Sequence, residues 1–326
     1  MNWARLFYHE EWAALDFTNC IKEQSELAKI ICLVRVPLGN PMDCTIVISS
    51  KDRKEELKKC LTNCLLQEGS PEILVIDDCS QDGTQRMIET EFPMVKVHRL
   101  ESNIGLINAR NLAASLVGTT YICSIDDDAW FAANDIVKTN LHRIQKNDKA
   151  IAVALPVVQV HEGNRLLQWC EKNKEMEIRQ FIGTAYLVDR NKFLELGGFP
   201  SYLFRQEEEL HFGVEAFIKG YGILKGWGDP IFHKESSKRD EKRIRFYEAR
   251  NLMLFILRYT PLPLIPVHVT GNFINLSRTN PRLLSVILNG YWNAILTFTQ
   301  GKCPRTPLGF TQYYRFRQLS DTLEKR

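Results

Sequence analysis

No window of this 326-residue chain holds the uninterrupted apolar run of about 18 residues that a membrane-spanning helix needs. The nearest approach, Asn251 to Pro266, is broken by Arg258 and by three prolines. The nine cysteines include no C-x-x-C pair and no metal-finger spacing, which argues against a thiolate metal site. Their odd count, with no secretory signal, points to a reducing compartment, so the chain reads as cytoplasmic. A strong charge imbalance is also missing. The net charge of +3 is too small to make nucleic acid the main partner. There is no internal repeat and no low-complexity tract, and 44% hydrophobic with 25% charged residues excludes wholesale disorder.

What is present is an alternation of short apolar runs with helical patterns, beginning after a preamble over residues 1–43 whose role the sequence leaves open. Thr45-Ile46-Val47-Ile48 predicts a strand, and Leu57, Cys60, Leu61, Cys64 and Leu65 then recur at helical spacing. The four-residue interval between Cys60 and Cys64 makes them core residues of that helix. Ile73 to Ile76 predicts a second strand ending in Asp77-Asp78, and Val95 to Val97 a third. A helix carrying Ala109, Leu112, Ala113 and Leu116 leads into a fourth strand, Tyr121 to Ile125. This spacing implies a mainly parallel sheet with right-handed crossovers. Beyond it, 150–158 and 181–188 each predict a strand. Glu207 to Lys219 predicts a helix ended by Gly220-Tyr221-Gly222, and Tyr247 to Leu257 a long amphipathic segment.

The chemistry concentrates where strands end. Asp126-Asp127-Asp128 closes the fourth strand. Two carboxylates ~4 Å apart repel by roughly 4 kcal/mol at an effective dielectric of 20. Such a cluster persists if its members diverge into water or cap a helix, or if a divalent cation sits among them. Hard cations such as Mg²⁺ or Mn²⁺ prefer oxygen ligands and commonly bridge a protein carboxylate to phosphates. Open α/β sheets bind ligands outside the carboxyl ends of their strands, where this cluster falls. Asp77-Asp78 at a neighbouring strand end suits base or ribose recognition, or equally turn and capping chemistry. Asp82-Gly83-Thr84 reads as a cap.

Five segments, in this order, resemble family-2 glycosyltransferases of the GT-A fold, among them bacterial rhamnosyltransferase-like enzymes. They are TIVISSKDR (45–53), VIDDCSQDGT (75–84), NIGLINARN (103–111), YICSIDDD (121–128), and a trailing set of Gly183-Thr184, Gly197-Gly198-Phe199, Glu208-Glu209-Leu210-His211-Phe212, His233-Lys234, and Tyr247 with Arg250-Asn251. The resemblance covers roughly residues 44–260. It implies a nucleotide-sugar-binding half over 44–150, an acceptor and catalytic-base half over 151–262, and a C-terminal helical extension over 263–326.

The same resemblance assigns roles. Ser50 and Arg53 match the nucleotide-contacting turn, although the usual Thr-Tyr-Asn is Ser50-Lys51-Asp52 here. Asp78 matches the acid that recognises the base. Asn103, Gly105 and Arg110 flank the nucleotide, with Arg110 facing the diphosphate. Asp126 and Asp128 form the D-x-D pair, Asp128 being the direct metal ligand and Asp127 the contact to ribose or donor sugar. His233 reaches the metal or diphosphate, and Gly183-Thr184 lets backbone approach the donor sugar or acceptor. Glu208-Glu209 takes the place of the Glu-Asp motif that supplies the general base, with Glu209 first choice and Glu208 second. His211 replaces an acid and would alter acceptor contacts.

The implied protein is an inverting transferase dependent on Mg²⁺ or Mn²⁺. It would move a sugar from a UDP- or dTDP-sugar, before a GDP-sugar, to a hydroxyl of a glycan or lipid-linked acceptor in cell-surface polysaccharide biosynthesis. The alternatives are a sugar nucleotidyltransferase and a non-catalytic glycan-binding or assembly subunit. The basic residues Lys238, Arg239, Lys242, Arg243 and Arg245 read first as a solvated face, and second as a loop over diphosphate or a contact with anionic lipid. Leu252, Phe255 and Ile256 read first as core and second as a peripheral membrane face.

Overall fold

A computed structural model describes residues 42–160, 165–170, 176–234 and 240–320. The preamble expected over 1–43 therefore lies almost wholly outside the described residues, as do Lys238 and Arg239. The first half is built as its periodicity predicts. Strands β1 (Cys44–Ser50), β2 (Glu72–Asp77), β3 (Lys96–Arg99) and β4 (Tyr121–Ile125) alternate with helices α1 (Lys54–Cys64), α2 (Thr84–Glu91) and α3 (Leu106–Leu116). After β4 come β5 (Ala129–Phe131), α4 (Ile136–Gln145), β6 (Ala150–Ala154), β7 (Val157–Gln159), β8 (Arg165–Leu167) and β9 (Glu177–Ile178). The chain continues through β10 (Ala185–Asp189), α5 (Arg190–Glu195), α6 (Glu208–Ile218), β11 (Gly222–Lys225) and β12 (Ile231–His233). The C-terminal helices are α7 (Glu241–Tyr259), α8 (Ile265–Thr279), α9 (Leu284–Thr299) and α10 (Phe310–Gln318).

The main sheet has eight strands in the order β3-β2-β1-β4-β10-β6-β11-β9. Four of its pairings are parallel and three antiparallel, so the mainly parallel sheet holds for the β3-β2-β1-β4 half, and the other half is mixed. Both faces are covered. Along β1, Ile46 and Ile48 pack toward α1, α2 and α4, while Val47 packs toward α3 and α6. Burial on both faces is why β1 reads as a continuous apolar run instead of an alternating one. Cys60 and Cys64 lie in this core as expected.

Two predicted strands are modified. The run 150–158 is two strands in two sheets: β6 ends at Ala154 in the main sheet, and β7 begins after Pro156 in a second sheet ordered β5-β12-β7-β8. Proline lacks the N–H that would continue the ladder, so the chain changes sheets there. The run 181–188 forms a strand only from Ala185, because Phe181 turns into an aromatic cluster with Tyr186, Phe199 and Phe212. The second sheet positions the functional groups, since it carries the chain leaving Asp128 alongside His233.

Candidate active site

The carboxyl ends of β1, β2 and β4 gather the predicted acids on one edge, and long-range neighbours fix each one. Asp77 is fully buried and pairs with Arg99 at 2.9 Å, so it serves the sheet. Asp78 accepts from the backbone N–H groups of Ile104 (2.8 Å) and Gly105 (3.0 Å). It thereby fixes the loop that starts α3, and Gly105, at φ +82°, supplies a backbone conformation that other residues rarely adopt. Asn103, just upstream, is exposed on that loop. Asp82 closes the turn ahead of α2, accepting from the Thr84 N–H and hydroxyl at 3.1 and 2.6 Å, while Gly83 holds the cap position.

The aspartate triplet splits three ways. Asp126 Oδ1 pairs with Arg110 at 2.9 Å. Asp127 accepts from the Ser50 hydroxyl at 2.7 Å and pairs with Arg53 at 2.9 Å. Burial pushes the Asp127 carboxyl up to about 7, against the pull of Arg53. Asp128 places Oδ2 against the other Arg53 nitrogen at 2.7 Å and Oδ1 against His233 Nε2 at 3.2 Å. Burial would raise Asp128, but His233 and Arg53 together hold it below its ordinary value.

One oxygen of Asp126, one of Asp128 and a ring nitrogen of His233 all lie within 4.8 Å of one another. The donor set fits a divalent cation. Its two carboxylates suit Mg²⁺ or Mn²⁺, and its imidazole favours a first-row transition ion such as Mn²⁺. The surroundings of His233 agree. Its Nδ1 lies 2.9 Å from Gln159 Oε1 and 3.3 Å from the Thr184 hydroxyl. With Nδ1–H donating to the amide oxygen, Nε2 keeps its lone pair and faces Asp128 Oδ1. Two acceptors then meet, an arrangement that a proton or a cation between them relieves. An outer carbonyl that fixes the tautomer is the usual support of a metal-binding histidine. Gln159 carried no signal in the sequence, because only the pairing of β7 with β12 brings it opposite His233.

Across the cleft, α6 begins with Glu208 and Glu209 in its first turn. The chain reaches it through Phe204, Gln206 and Glu207, all at positive φ, which is unfavourable for side-chain-bearing residues. The Asn251 amide restrains this segment by donating to the carbonyls of Arg205 (2.7 Å) and Gln206 (2.8 Å), and Arg250 donates to Tyr202 O at 2.9 Å. Arg250-Asn251 thus positions the glutamates, a role the resemblance does not specify. His211 does not face an acceptor. It is buried, 3.3 Å from Asn251 O, and burial pushes its pKa down to about 3, so its place is structural.

Arg110 connects the two sides. Its guanidinium is almost wholly buried and contacts Asp126 (2.9 Å), Gly183 O (2.7 Å), Glu208 (3.2 Å) and Glu209 (3.8 Å). Burial disfavours its charge, yet Tyr186 and the three carboxylates outweigh that and hold the proton more firmly than usual. Glu208 is buried with Oε2 lacking a hydrogen-bond partner, whereas Glu209 keeps part of its carboxylate in solvent. Burial raises both carboxyls, and the neighbouring Glu208 charge drives Glu209 well above its ordinary value. Gly183 lies against this carboxylate. A Cβ there would stand 2.0 Å from Glu209 Oε1 and 3.0 Å from Arg110, so any side chain would displace the pair. Thr184 O, next along, accepts from the Asp126 N–H at 2.9 Å. The sequence-predicted residues are thus one constellation, except Asp78 and Asn103, which sit with Gly105 at the α3 loop.

Residues 45–206 match the sequence profile of Glycosyl transferase family 2. They are a family-2 glycosyltransferase domain. An uncharacterized glycosyltransferase of Haemophilus influenzae is 27% identical over 172 residues, 52% of this chain and 55% of the relative. The chain thus spans about half the length of that curated relative. Residues 1–349 of S. aureus TarS, solved with UDP-GlcNAc, superpose with a TM-score of 0.56 over 81% of this chain and 82% of that fragment, at 17% identity. The mannosyltransferase PcManGT of Pyrobaculum calidifontis, solved with GDP-Man and Mn²⁺, gives 0.52 over 92% and 89%, also at 17% identity. At that identity the likeness is one of fold, and the fold of the family-2 domain is GT-A.

Proposed function

We propose that the protein transfers a sugar, with inversion, from a nucleoside diphosphate sugar to a hydroxyl of a glycan or lipid-linked acceptor in cell-surface polysaccharide biosynthesis. The observation that carries this reading is the pairing of two acidic centres through Arg110: a cation-fitting cluster on one side, a glutamate of raised pKa on the other. Asp128, Asp126 and His233 would hold Mg²⁺ or Mn²⁺. A cation there supplies Lewis-acid stabilisation of the diphosphate as it departs.

The protein's own groups do the rest. Glu209 takes the acceptor hydroxyl's proton while that oxygen bonds to the anomeric carbon, and the bond from that carbon to the diphosphate breaks with its electron pair leaving on phosphate oxygen. A carboxyl raised above its ordinary value suits this task, because a carboxylate of higher pKa is the stronger base. Glu208 keeps Arg110 in place. Ser50, Arg53 and Asp127 line the nucleotide side, and Asp78 with Asn103 and Gly105 fixes the loop against which the base lies. The two fold neighbours were solved with a UDP-sugar and a GDP-sugar, so the base is a matter for measurement, with uridine or thymidine favoured.

A panel of UDP-, dTDP- and GDP-sugars, read by nucleoside diphosphate release, tests the reading. Release from a UDP- or dTDP-sugar that EDTA abolishes and Mn²⁺ restores is expected. Turnover of a nucleoside triphosphate instead would assign a nucleotidyltransferase, and no cation-dependent nucleotide binding at all would assign a non-catalytic subunit. In Asp128→Asn the Mn²⁺ affinity, followed by calorimetry with UDP present, should fall by at least about 10- to 100-fold, the loss that removing even an outer-shell partner produces.

A further inference from the structure

Helix α9 carries large apolar residues on its packed side and on its open side alike. Ile287, Gly290, Tyr291 and Ala294 are buried. Gly290 marks the contact with α7, because a Cβ there would meet Phe246 O at 2.7 Å and Ala249 Cβ at 3.1 Å. The opposite stripe, Leu284, Leu288, Trp292 and Leu296, repeats every four residues and is exposed, Trp292 at 60% and Leu288 at 50%. A surface helix ordinarily turns polar residues outward, whereas this one has a core on one side and a largely apolar stripe on the other. Val267 and Ile274 are exposed apolar residues on the preceding helix α8, which ends in the exposed Arg278.

The chain that carries this surface, α8 to α10, holds charge of one sign. Between Glu248 and Asp321 the sequence contains no aspartate or glutamate. Arg278, Arg282 and Lys302 are exposed at the helix ends bordering the stripe, and Arg315 and Arg317 are exposed on α10. Cations that border an apolar stripe, with tryptophan within it, are the composition of a helix lying in a membrane interface. The long stems of arginine and lysine let the charge reach the headgroups while the stripe sinks. Spanning is excluded for α9: its 16 residues extend about 24 Å, short of the roughly 30 Å hydrocarbon core. A two-fold dimer through the same face would set these cations against one another with no acid between them.

We infer that α9, with the end of α8, seats the protein in plane on an anionic phospholipid surface. Leu252, Phe255 and Ile256, read first as core and second as a membrane face, are not part of this surface. Phe255 packs with Val214, Tyr259 and Phe316, Ile256 is buried, and together with the half-buried Leu252 they line a cavity shared with His268 and Tyr313, while Arg245 pairs with Glu248. The inference is independent of the transferase reading, since it concerns a surface that needs neither donor nor acceptor.

Co-sedimentation of the full chain tests it, with phosphatidylcholine vesicles and with vesicles in which about a third of the lipid is phosphatidylglycerol. Binding to the anionic vesicles, with a blue shift of tryptophan emission that Trp292→Gln removes, is expected. Leu288→Glu with Trp292→Glu, both at exposed positions, should lower partitioning at least tenfold without changing the melting temperature. Arg282→Gln with Lys302→Gln should lower it by about 25-fold on anionic vesicles only, each cation near the surface being worth about fivefold. A full chain that stays in the supernatant with both vesicles overturns the inference. So does a concentration-dependent dimer in light scattering that Leu288→Glu with Trp292→Glu dissolves, which would give the face to a second copy.

Discussion

Glu209→Gln is expected to lower sugar transfer by about 10² to 10⁴-fold, the usual worth of a positioned general base, while leaving cation-dependent nucleotide binding intact. The substitution keeps the shape that Gly183 accommodates and removes only the ability to take a proton. It should also raise thermal stability. Burial and the Glu208 charge hold the Glu209 carboxyl well above its ordinary value. An acid raised in the folded state binds its proton preferentially there. It stabilises the fold fully below the unfolded pKa and loses that contribution as pH rises through the folded value. Above the unfolded value the Glu209 carboxyl is therefore a cost to the fold, and glutamine removes it. A higher melting temperature with lost transfer is the signature of a catalytic group held at the expense of stability. Normal transfer by Glu209→Gln, with transfer lost in Glu208→Gln, would move the base to its neighbour.

Arg110→Met is expected to destabilise the protein by about 3–5 kcal/mol, the loss seen when one partner of a buried ion cluster is removed. Its guanidinium is the common counter-charge of Asp126, Glu208 and Glu209, and no other cation among the described residues contacts all three. The deficit has a defined pH dependence. Without Arg110 the folded pKa values of the glutamates rise further. The variant then gains stability relative to wild type as pH falls toward their unfolded value and is weakest above neutrality. Urea unfolding in a chelator at pH 5 and pH 8 measures this. An equal deficit at both pH values would show that the loss is one of packing and not of charge. Arg110→Lys should recover only part, because an ammonium cannot reproduce a planar fork that meets Asp126 and Gly183 O through one nitrogen and Glu208 through another.

The first half of the fold is legible because each strand is a short apolar run buried on both faces and each helix shows one apolar stripe. Both are properties of local sequence. The 150–158 run reads as a single strand because it is uniformly apolar whether it forms one strand or two. Only the route taken after Pro156 separates β6 from β7. The acids at the strand ends are legible for a related reason: three adjacent carboxylates need a cause, and the end of a buried strand supplies few. His211 misleads because position in a motif does not reveal burial, and its ring faces Asn251 and not the cleft.

The sequence by itself determined which chemical groups exist and on which element each one rides. These are the aspartates at the end of β4, the glutamates in the first turn of α6, and a histidine after an apolar run. Tertiary structure alone decided which of them meet. His233 reaches Asp128 because β12 pairs with β5. Gln159 fixes the ring because β7 lies on the other side of β12. Arg110, 98 residues before Glu208, joins it to Asp126. The exposed side of α9 is equally invisible in its composition, since an apolar residue reads the same whether it faces a core or water. Periodicity and composition are local, whereas a counter-charge, a tautomer or an uncovered face depends on what the fold brings alongside.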